Sequence, residues 1–410
     1  MRVFKFGGAS IKDSDAVVNM ANIIKSYAAE PLLVVVSAMA KNTNLLEDIV
    51  KKKLTGEDYS LLLKEFISFH YKMVKSLFHE PNKVNDSIQQ WVEKLKLNLS
   101  GELHGRKLYD SVVVFGELLS STIVAAYIEE AKWFDARNCI KTDDHHRQAN
   151  VNWTKTNELI TKELINQKGI IITQGFIGSS HEGESTTLGR EGSDFSAAIF
   201  ATCLGAQSVT VWKDVPGILN GDPKRVENTR MFDQLPYKEA AEMTYYGASV
   251  IHPKTIKPLA NNNIPLYVRS FSHPEKEGTV IHDCDFEPMP TIIIKDKQCL
   301  ISFKVLDYSF VDEHNLSLIF KELAMADIQI NIMQSSAVSF SIAVDNDLGK
   351  VEELVKKLKN DFQIRYNTGL QLLTIKNYTK ELVTKYQKGS KILLEQMSRN
   401  NYRSLIAPKY

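Results

Sequence analysis

The chain has 410 residues, more than one ordinary core accommodates and enough for two or three domains. Hydrophobic residues make up 43% and charged residues 24%, and 50 Lys and Arg balance 49 Asp and Glu, leaving a net charge of +1. That is globular composition with no global field for nucleic acid or an anionic membrane, so neither partner is expected.

Residues 2–6 (RVFKF) alternate and are rich in Val and Phe, which reads as a strand, and Gly7-Gly8-Ala9-Ser10 breaks it. Ser14 is placed to cap a helix through about residue 28, with Val17, Met20, Ile24 and Tyr27 on one face. The run 32–37 (LLVVVS), apolar up to its final serine, suits a buried parallel strand. This order of strand, glycine loop, helix and strand predicts an α/β sheet whose first turn faces a ligand. Residues 45–108 form a charged insert with helical period. Residues 112–115 read as a short strand, 117–128 as a helix and 170–173 as another buried strand. A polar, glycine-containing loop then leads to Ser193, placed to cap a helix over 194–204 that stops at Gly205. Next come a strand at 208–212, a Pro- and Gly-rich turn to 222, helices at 237–241 and 249–260, and a strand at 265–269.

The pattern changes at 287–290 (EPMP), which divides the chain into 1–285 and 286–410. The order after Cys299 is strand (300–306), helix (315–326), strands (329–333 and 338–344), helix (348–358) and strand (362–366). That is a ferredoxin-like βαββαβ unit over about 299–367. A strand (370–376) and a helix (380–397) make a partial second unit over 368–410, to which 291–297 adds a strand. No apolar run reaches the ~20 residues that span a bilayer. The MRVFKFGG start reads as a strand followed by glycines, so no signal peptide is expected there. Cys139, Cys203, Cys284 and Cys299 show no paired spacing, so reduced thiols in a cytoplasmic protein are expected.

Three segments carry candidate chemistry. Lys5 lies opposite Phe4 and Phe6 on its strand, beside glycines whose amides can approach a phosphate; it is either an anion-holding lysine or a snorkelling edge lysine. No G-x-x-x-x-G-K-[ST] occurs, which excludes a Walker-type nucleotide site. The loop 186–194 (TTLGREGSD) runs hydroxyls and Arg190 into a helix N-terminus, suited to a carboxylate or phosphate, or is simply a capped helix with a solvated arginine. Trp212-Lys213-Asp214, followed by Asp222-Pro223-Lys224, puts a cation and a carboxylate at a sheet edge. His145-His146 beside Asp143-Asp144 reads as a solvated loop rather than a metal site, and 51–53 as a helix surface.

Taken in order, KFGGAS (5–10), VSAMAKNTNLL (36–46), FGELLS (115–120), ITQGFIGS (172–179), TTLGREGSD (186–194), WKDVPGI (212–218) and MTYYGASVIHPKT (243–255) resemble an aspartate kinase of the amino-acid kinase family. The 299–367 unit resembles an ACT domain. The resemblance implies a three-layer α/β/α sandwich with a mostly parallel central sheet, followed by an ACT domain and a partial second ACT unit. It implies transfer of the ATP γ-phosphoryl to the β-carboxylate of L-aspartate, a carboxyl-acceptor phosphotransferase step that opens the routes to lysine, threonine, methionine and diaminopimelate. Phosphoryl transfer asks a protein chiefly for alignment and charge neutralisation.

By that resemblance Lys5 and the Gly7 and Gly8 amides hold the phosphoryl group, and Asp214 orients lysine ammonium groups. Glu117 takes the substrate α-ammonium, with Asp194 available to it. Arg190 clamps a substrate carboxylate, and Ser37, Thr43, Glu191, Gly192 and Ser193 line the substrate. The nucleotide lies along Lys213, Asp214, Leu219, Lys224, Ser249 and Val250. Mg2+ is held mainly by ATP, with no protein cage. Ser249 stands where relatives often have lysine, leaving Lys213 or Lys254 to supply that cation. Lys224 replaces a frequent arginine and Glu191 a frequent glycine. Ser309, Asp312, Asn315, Leu316, Ile330, Asn331 and Ser336 match the effector site of lysine-sensing relatives, with lysine or threonine as candidate effector. Relatives often carry an acidic residue at the positions of Asn331 and Ala337, and Asp312 is the candidate replacement. ACT pairing implies a homodimer. The alternatives are an amino-acid sensor with weak or no kinase activity and a kinase for glutamate, acetylglutamate or carbamate.

Overall fold

The structure is a computed structural model that describes residues 1–248, 251–307 and 309–407; Ser249 and Val250 lie outside the described residues. The described chain divides into two compact units. The first takes in Met1–Ile218, Met231–Ala241 and Val250–Phe286, the second Leu219–Arg230, Glu242–Ser249 and Glu287–Tyr410. Two segments ahead of residue 286 therefore sort with the second unit.

The first unit opens as the sequence suggests, with β1 (Arg2–Phe6), a 3-10 turn at Gly8–Ile11, α1 (Ser14–Lys25) and β2 (Leu32–Val36). The cap of α1 is Asp13 rather than Ser14: its side chain accepts from Ala16 N at 2.9 Å, and the helix stops at Lys25. The insert is three helices, α2 (Asn42–Thr55), α3 (Ser60–Leu77) and α4 (Asn82–Ser100), leading into α5 (Gly105–Tyr127). The strand expected at 112–115 lies inside α5. Val112, Val113 and Val114 favour strands locally, but packing of the whole buried helix overrides that weak preference. By length and composition α5 is apolar enough to cross a membrane, yet its apolar stretch is 83% buried within the protein, as in a core helix.

β3 (Ala131–Phe134), α6 (Trp153–Leu164), β4 (Ile170–Gln174), the hairpin of β5 (Ile177–Ser179) and β6 (Ser185–Thr187), α7 (Gly192–Leu204) and β7 (Val209–Lys213) follow. The N-cap position of α7 is Glu191, not Ser193, and no side chain caps it. β8 (Gln234–Pro236), α8 (Tyr237–Tyr245), α9 (Pro253–Asn261), β9 (Leu266–Ser270) and β10 (Thr279–His282) complete the elements, α9 beginning at Pro253 instead of 249. The main sheet has eight strands in the order β3-β4-β2-β1-β7-β9-β10-β8, parallel except between β9 and β10. β1 is central: Lys5 pairs with Val35 on one side and Val211 on the other. On one face Phe4 and Phe6 pack against Trp212, edge-on at 5.6 Å and stacked at 6.0 Å, so Lys5 is turned to the opposite face.

The second unit is built on a six-stranded antiparallel sheet, β12-β13-β11-β14-β16-β15. Its elements are β11 (Thr291–Val305), α10 (Glu313–Met325), β12 (Ile330–Ser335), β13 (Ser339–Asp345), α11 (Leu348–Leu358), β14 (Phe362–Lys376), α12 (Lys380–Gln387), β15 (Lys391–Met397) and β16 (Asn401–Ala407). The strands expected separately at 291–297 and 300–306 are one strand, β11, and those at 362–366 and 370–376 are one strand, β14. The two run antiparallel from Thr291↔Lys376 to Val305↔Phe362, with register shifts between Lys295 and Leu300. One half of the sheet carries the βαββαβ order, its core closed by Ile319 and Leu323 of α10 and Val351 and Leu354 of α11. The other half does not contain the helix expected over 380–397. α12 stops at Gln387, and 391–397 is the edge strand β15, paired with β16.

Candidate active site

The C-terminal end of β1 brings together the charged groups of the first unit. Asp194, in the first turn of α7, is 2% exposed, and its Oδ1 lies 2.6 Å from Lys5 Nζ. Its Oδ2 lies 3.2 Å from Lys213 Nζ at the end of β7. Burial pushes the Asp194 carboxyl up, but Lys5 and then Lys213 outweigh it and hold the group below its ordinary range. Two ammonium groups thus share one buried carboxylate. This corrects the sequence reading, which gave the lysine-orienting role to Asp214: Asp214 is exposed on the turn after β7, whereas Asp194 is in contact with both lysines. β7 neighbours β1 in the sheet, a pairing of residues some two hundred positions apart in the chain.

The glycine loop packs against the segment after β2. A Cβ on Gly8 would stand 2.6 Å from Ala38 O and 2.7 Å from Ala40 O, so only glycine fits there. Ser37 N donates to Phe6 O at 3.2 Å and Ala40 N to Gly8 O at 3.0 Å, tying the two loops together. Beneath them α5 presents Glu117, whose Oε1 accepts from Ala38 N at 3.2 Å, and Ser120, whose Oγ accepts from Met39 N at 2.8 Å. Glu117 Oε2 is buried with no partner among the described residues. Burial pushes the Glu117 carboxyl up to about 8, against weaker pulls from the Ala38 amide and Lys5. A buried, half-satisfied carboxyl of this kind is suited to a ligand ammonium. Thr43 is half-buried in the first turn of α2, beside the buried Asn42, which donates to Met39 O at 2.8 Å.

On the far side stands the loop leading into α7. Arg190 is exposed, and Glu191 adopts a left-handed φ of 53°. Burial raises the Glu191 carboxyl, with Lys213 pulling the other way. Ser193 and Gly192 are buried, and Ser193 packs so closely on Gly175 that a Cβ there would come within 2.5 Å of its own. His252 caps α9 by accepting from Lys254 N at 3.1 Å. Burial, Lys254 and Arg190 hold it below the usual histidine range, while Asp194 acts in the opposite sense. Sequence reasoning missed His252, though it stands in the 243–255 motif.

His146, expected in a solvated loop, is buried, with Nδ1 2.9 Å from Asp110 Oδ2. Asp110 also went unnoticed; the available signal was a lone carboxylate in an apolar helix, seven residues before Glu117. Among the described residues no group of three or more His, Cys, Asp or Glu is placed to hold a metal ion. Leu219 and Lys224 belong to the segment Leu219–Arg230 of the second unit, where Lys224 N donates to Asp222 Oδ1 at 3.0 Å.

In the second unit, Asp312 caps α10, accepting from Asn315 N at 2.8 Å, and Asn315 Oδ1 is buried without a partner among the described residues. Leu316 and Ile330 pack on the apolar core. Ser309 bonds Asp307, and Ser336 bonds Ser339. Asn331 departs from the effector expectation. Its Oδ1 accepts from Lys295 Nζ at 2.9 Å, and its Nδ2 donates to Gln298 Oε1 at 2.7 Å and Asp345 Oδ1 at 2.8 Å. Its side chain is committed to the β11 irregularity, where the register between β11 and β14 shifts.

A family model described as the amino acid kinase family matches residues 1–270. The chain is 31% identical over 390 residues to the lysine-sensitive aspartokinase 3 of Escherichia coli (strain K12), spanning 91% of this chain and 86% of that protein. The crystal structure of E. coli aspartokinase III in complex with aspartate and ADP (R-state) matches with a TM-score of 0.88 at 29% identity, covering 99% of this chain and 96% of that one. The same enzyme in complex with lysine and aspartate (T-state) matches with a TM-score of 0.81 at the same identity and coverage. The chain therefore belongs to the amino acid kinase family, among its aspartokinases, with the C-terminal regulatory region those enzymes carry.

Proposed function

We propose that this aspartokinase transfers the γ-phosphoryl of ATP to the β-carboxylate of L-aspartate at the end of β1. The observation that carries the reading is the pair Lys5 and Lys213 on the one buried carboxylate of Asp194. Three groups with a net single positive charge, fixed before any ligand arrives, suit the negative charge that spreads over a transferring phosphoryl. Lys5 and the Gly7 and Gly8 amides meet that group, Lys213 faces it from the next strand, and Asp194 keeps both ammonium groups aimed. Glu117 receives the α-ammonium of aspartate on its unpartnered Oε2. Arg190 clamps a carboxylate, and Ser37, Thr43, Glu191, Gly192 and Ser193 line the amino acid. The nucleotide is read along Lys213, Asp214, Leu219 and Lys224, with Ser249 and Val250. Magnesium arrives on the nucleotide.

The regulatory region is read as the seat of feedback by lysine, with threonine as the other effector to test and Ser309, Asp312, Asn315, Leu316, Ile330 and Ser336 as its contacts. A homodimer through this region is read from the edge strand β12, beside which Met333 and Val338 are exposed. Free cysteines fit a reducing, cytoplasmic setting. The product supplies the route to lysine, threonine, methionine and diaminopimelate. The test is ATP turnover with L-aspartate, glutamate, acetylglutamate and carbamate, for the native chain and Lys5→Ala. Turnover on aspartate alone, lost in a folded Lys5→Ala protein, supports the reading. Retained turnover in that variant refutes it, and nucleotide binding without turnover in the native chain favours the sensor.

A further inference from the structure

Asp110 stands two helical turns before Glu117 on the same face of α5, roughly 10 Å along the axis. Its side chain is fully buried. Oδ1 accepts from Thr187 Oγ1 at 2.6 Å and Arg147 N at 3.2 Å. Oδ2 accepts from His146 Nδ1 at 2.9 Å, Arg147 N at 3.1 Å and Thr187 N at 3.2 Å. A buried carboxylate is costly unless its lone pairs are filled, and here every donor comes from two segments, 146–147 and Thr187.

Those segments hold the base of the Arg190 loop. Thr187 ends β6, three residues before Arg190. Its carbonyl accepts from Ala149 N at 3.0 Å, and Leu188 N donates to Phe176 O at 2.9 Å. Gly189, at φ +79°, lies so close to the 147–148 backbone that an added Cβ would stand 3.3 Å from Arg147 O. The ring of Tyr109, the residue before Asp110, carries the Arg147 guanidinium at 4.1 Å. One helix thus moors the loop bearing Arg190 at one point and presents Glu117 two turns on.

We propose that Asp110 is a positioning residue for aspartate: it fixes the Arg190 loop to the helix that carries Glu117, and so sets the span between the carboxylate clamp and the ammonium acceptor. The proposal rests on the reading of Arg190 and Glu117 as the amino acid's partners. It assigns no contact between Asp110 and either substrate.

The test is steady-state kinetics of the full chain with Asp110→Asn, Thr187→Val, their double variant and Arg190→Ala. Asp110→Asn and Thr187→Val are each expected to raise KM for aspartate by about tenfold while KM for ATP stays within about twofold. The double variant is expected to be no worse than the weaker single one, because both remove the same mooring. Should Asp110→Asn fail to fold, the near-isosteric Thr187→Val carries the test. Equal rises in both KM values, or a lower melting temperature with KM for aspartate unchanged, overturn the positioning role. If Arg190→Ala leaves KM for aspartate unchanged, the underlying clamp reading fails instead; if it raises KM while Asp110→Asn and Thr187→Val do not, the positioning role alone fails.

Discussion

Lys5 Nζ and Asp194 Oδ1 stand 2.6 Å apart, between a central strand and the first turn of a buried helix. Neither group is held by its own segment. Asp194 is buried with two cations, and removing it takes away the carboxylate that both ammonium groups contact. Breaking a buried pair in this way costs about 3–5 kcal/mol. The folded-state pKa of Asp194 is lowered, so its stabilising contribution is full above its unfolded value of 3.8 and is lost as the pH falls through the lower folded one. Asp194→Asn is expected to lower kcat by about 100-fold or more and to lower the melting temperature at neutral pH. Asp214→Asn, on an exposed turn, is expected to act mainly on KM for ATP. The reverse pattern in those two variants would return the lysine-orienting role to Asp214.

Glu117 gives a pH dependence whose sign is fixed by burial. Its carboxyl is raised from 4.5 to about 8, so the folded chain holds a proton there that the unfolded chain gives up. Between those values, rising pH therefore withdraws stability from the ligand-free protein. A substrate ammonium requires the ionised form, so binding aspartate releases that proton and is favoured by rising pH. KM for aspartate is expected to fall between pH 6 and pH 8, and Glu117→Gln to flatten that dependence while raising KM throughout. Proton release on aspartate binding, measured by calorimetry in buffers of different ionisation enthalpy, checks the same group. An unchanged pH profile in Glu117→Gln would remove it from substrate binding.

The two glycines after β1 are expected to differ. At Gly8 a Cβ meets two backbone carbonyl oxygens, which cannot swing aside, whereas at Gly7 it meets only Lys5 Nζ at 3.4 Å, the mobile end of a side chain. Gly8→Ala must displace either the glycine loop or the 37–41 segment that covers Glu117. It is expected to lower kcat by about 100-fold, and Gly7→Ala by about tenfold or less. Side-by-side kinetics with circular dichroism decide it; equal losses would mean that the close approach at Gly8 is not what the loop requires.

The legible features were local ones. β1, its glycines, α1 and β2 are written in period and composition, and so was the face on which Lys5 stands. The 112–115 run misled because VVVF is strand-like over four residues, while the helix around it is settled by packing on all sides. Lys380–Gln387 and Lys391–Met397 were merged because neither gives a firm period. α12 has no fully buried residue, and β15 buries only Leu394. Asp194 and Asp214 both follow a motif, and only the neighbouring of β1 and β7 shows which carboxylate reaches both lysines. Asp110 and His146 were invisible as a pair because their meeting depends on the path of the 142–149 loop over α5.

Asn331 offers a way to separate the architecture of the regulatory sheet from effector recognition. Both N–H donors of its amide are filled by Gln298 and Asp345 and its oxygen already accepts from Lys295, so it has no free donor to offer an amino acid from that cluster. Lys295 also pairs with Asp345 at 2.7 Å, and burial raises the Asp345 carboxyl before Lys295, Gln298 and Asn331 draw it down again. Asn331→Ala unmakes three hydrogen bonds where β11 changes register, at about 1–3 kcal/mol for the buried groups left unpaired. It is expected to lower the melting temperature by several degrees and to leave the lysine concentration for half-inhibition unchanged. Asp312→Asn keeps a side chain that caps α10 and removes only the charge. It is expected to leave stability unchanged and to weaken the lysine response by about tenfold, as for loss of one charged partner. A lysine response lost in Asn331→Ala and intact in Asp312→Asn would place the effector on the β11 side of the sheet.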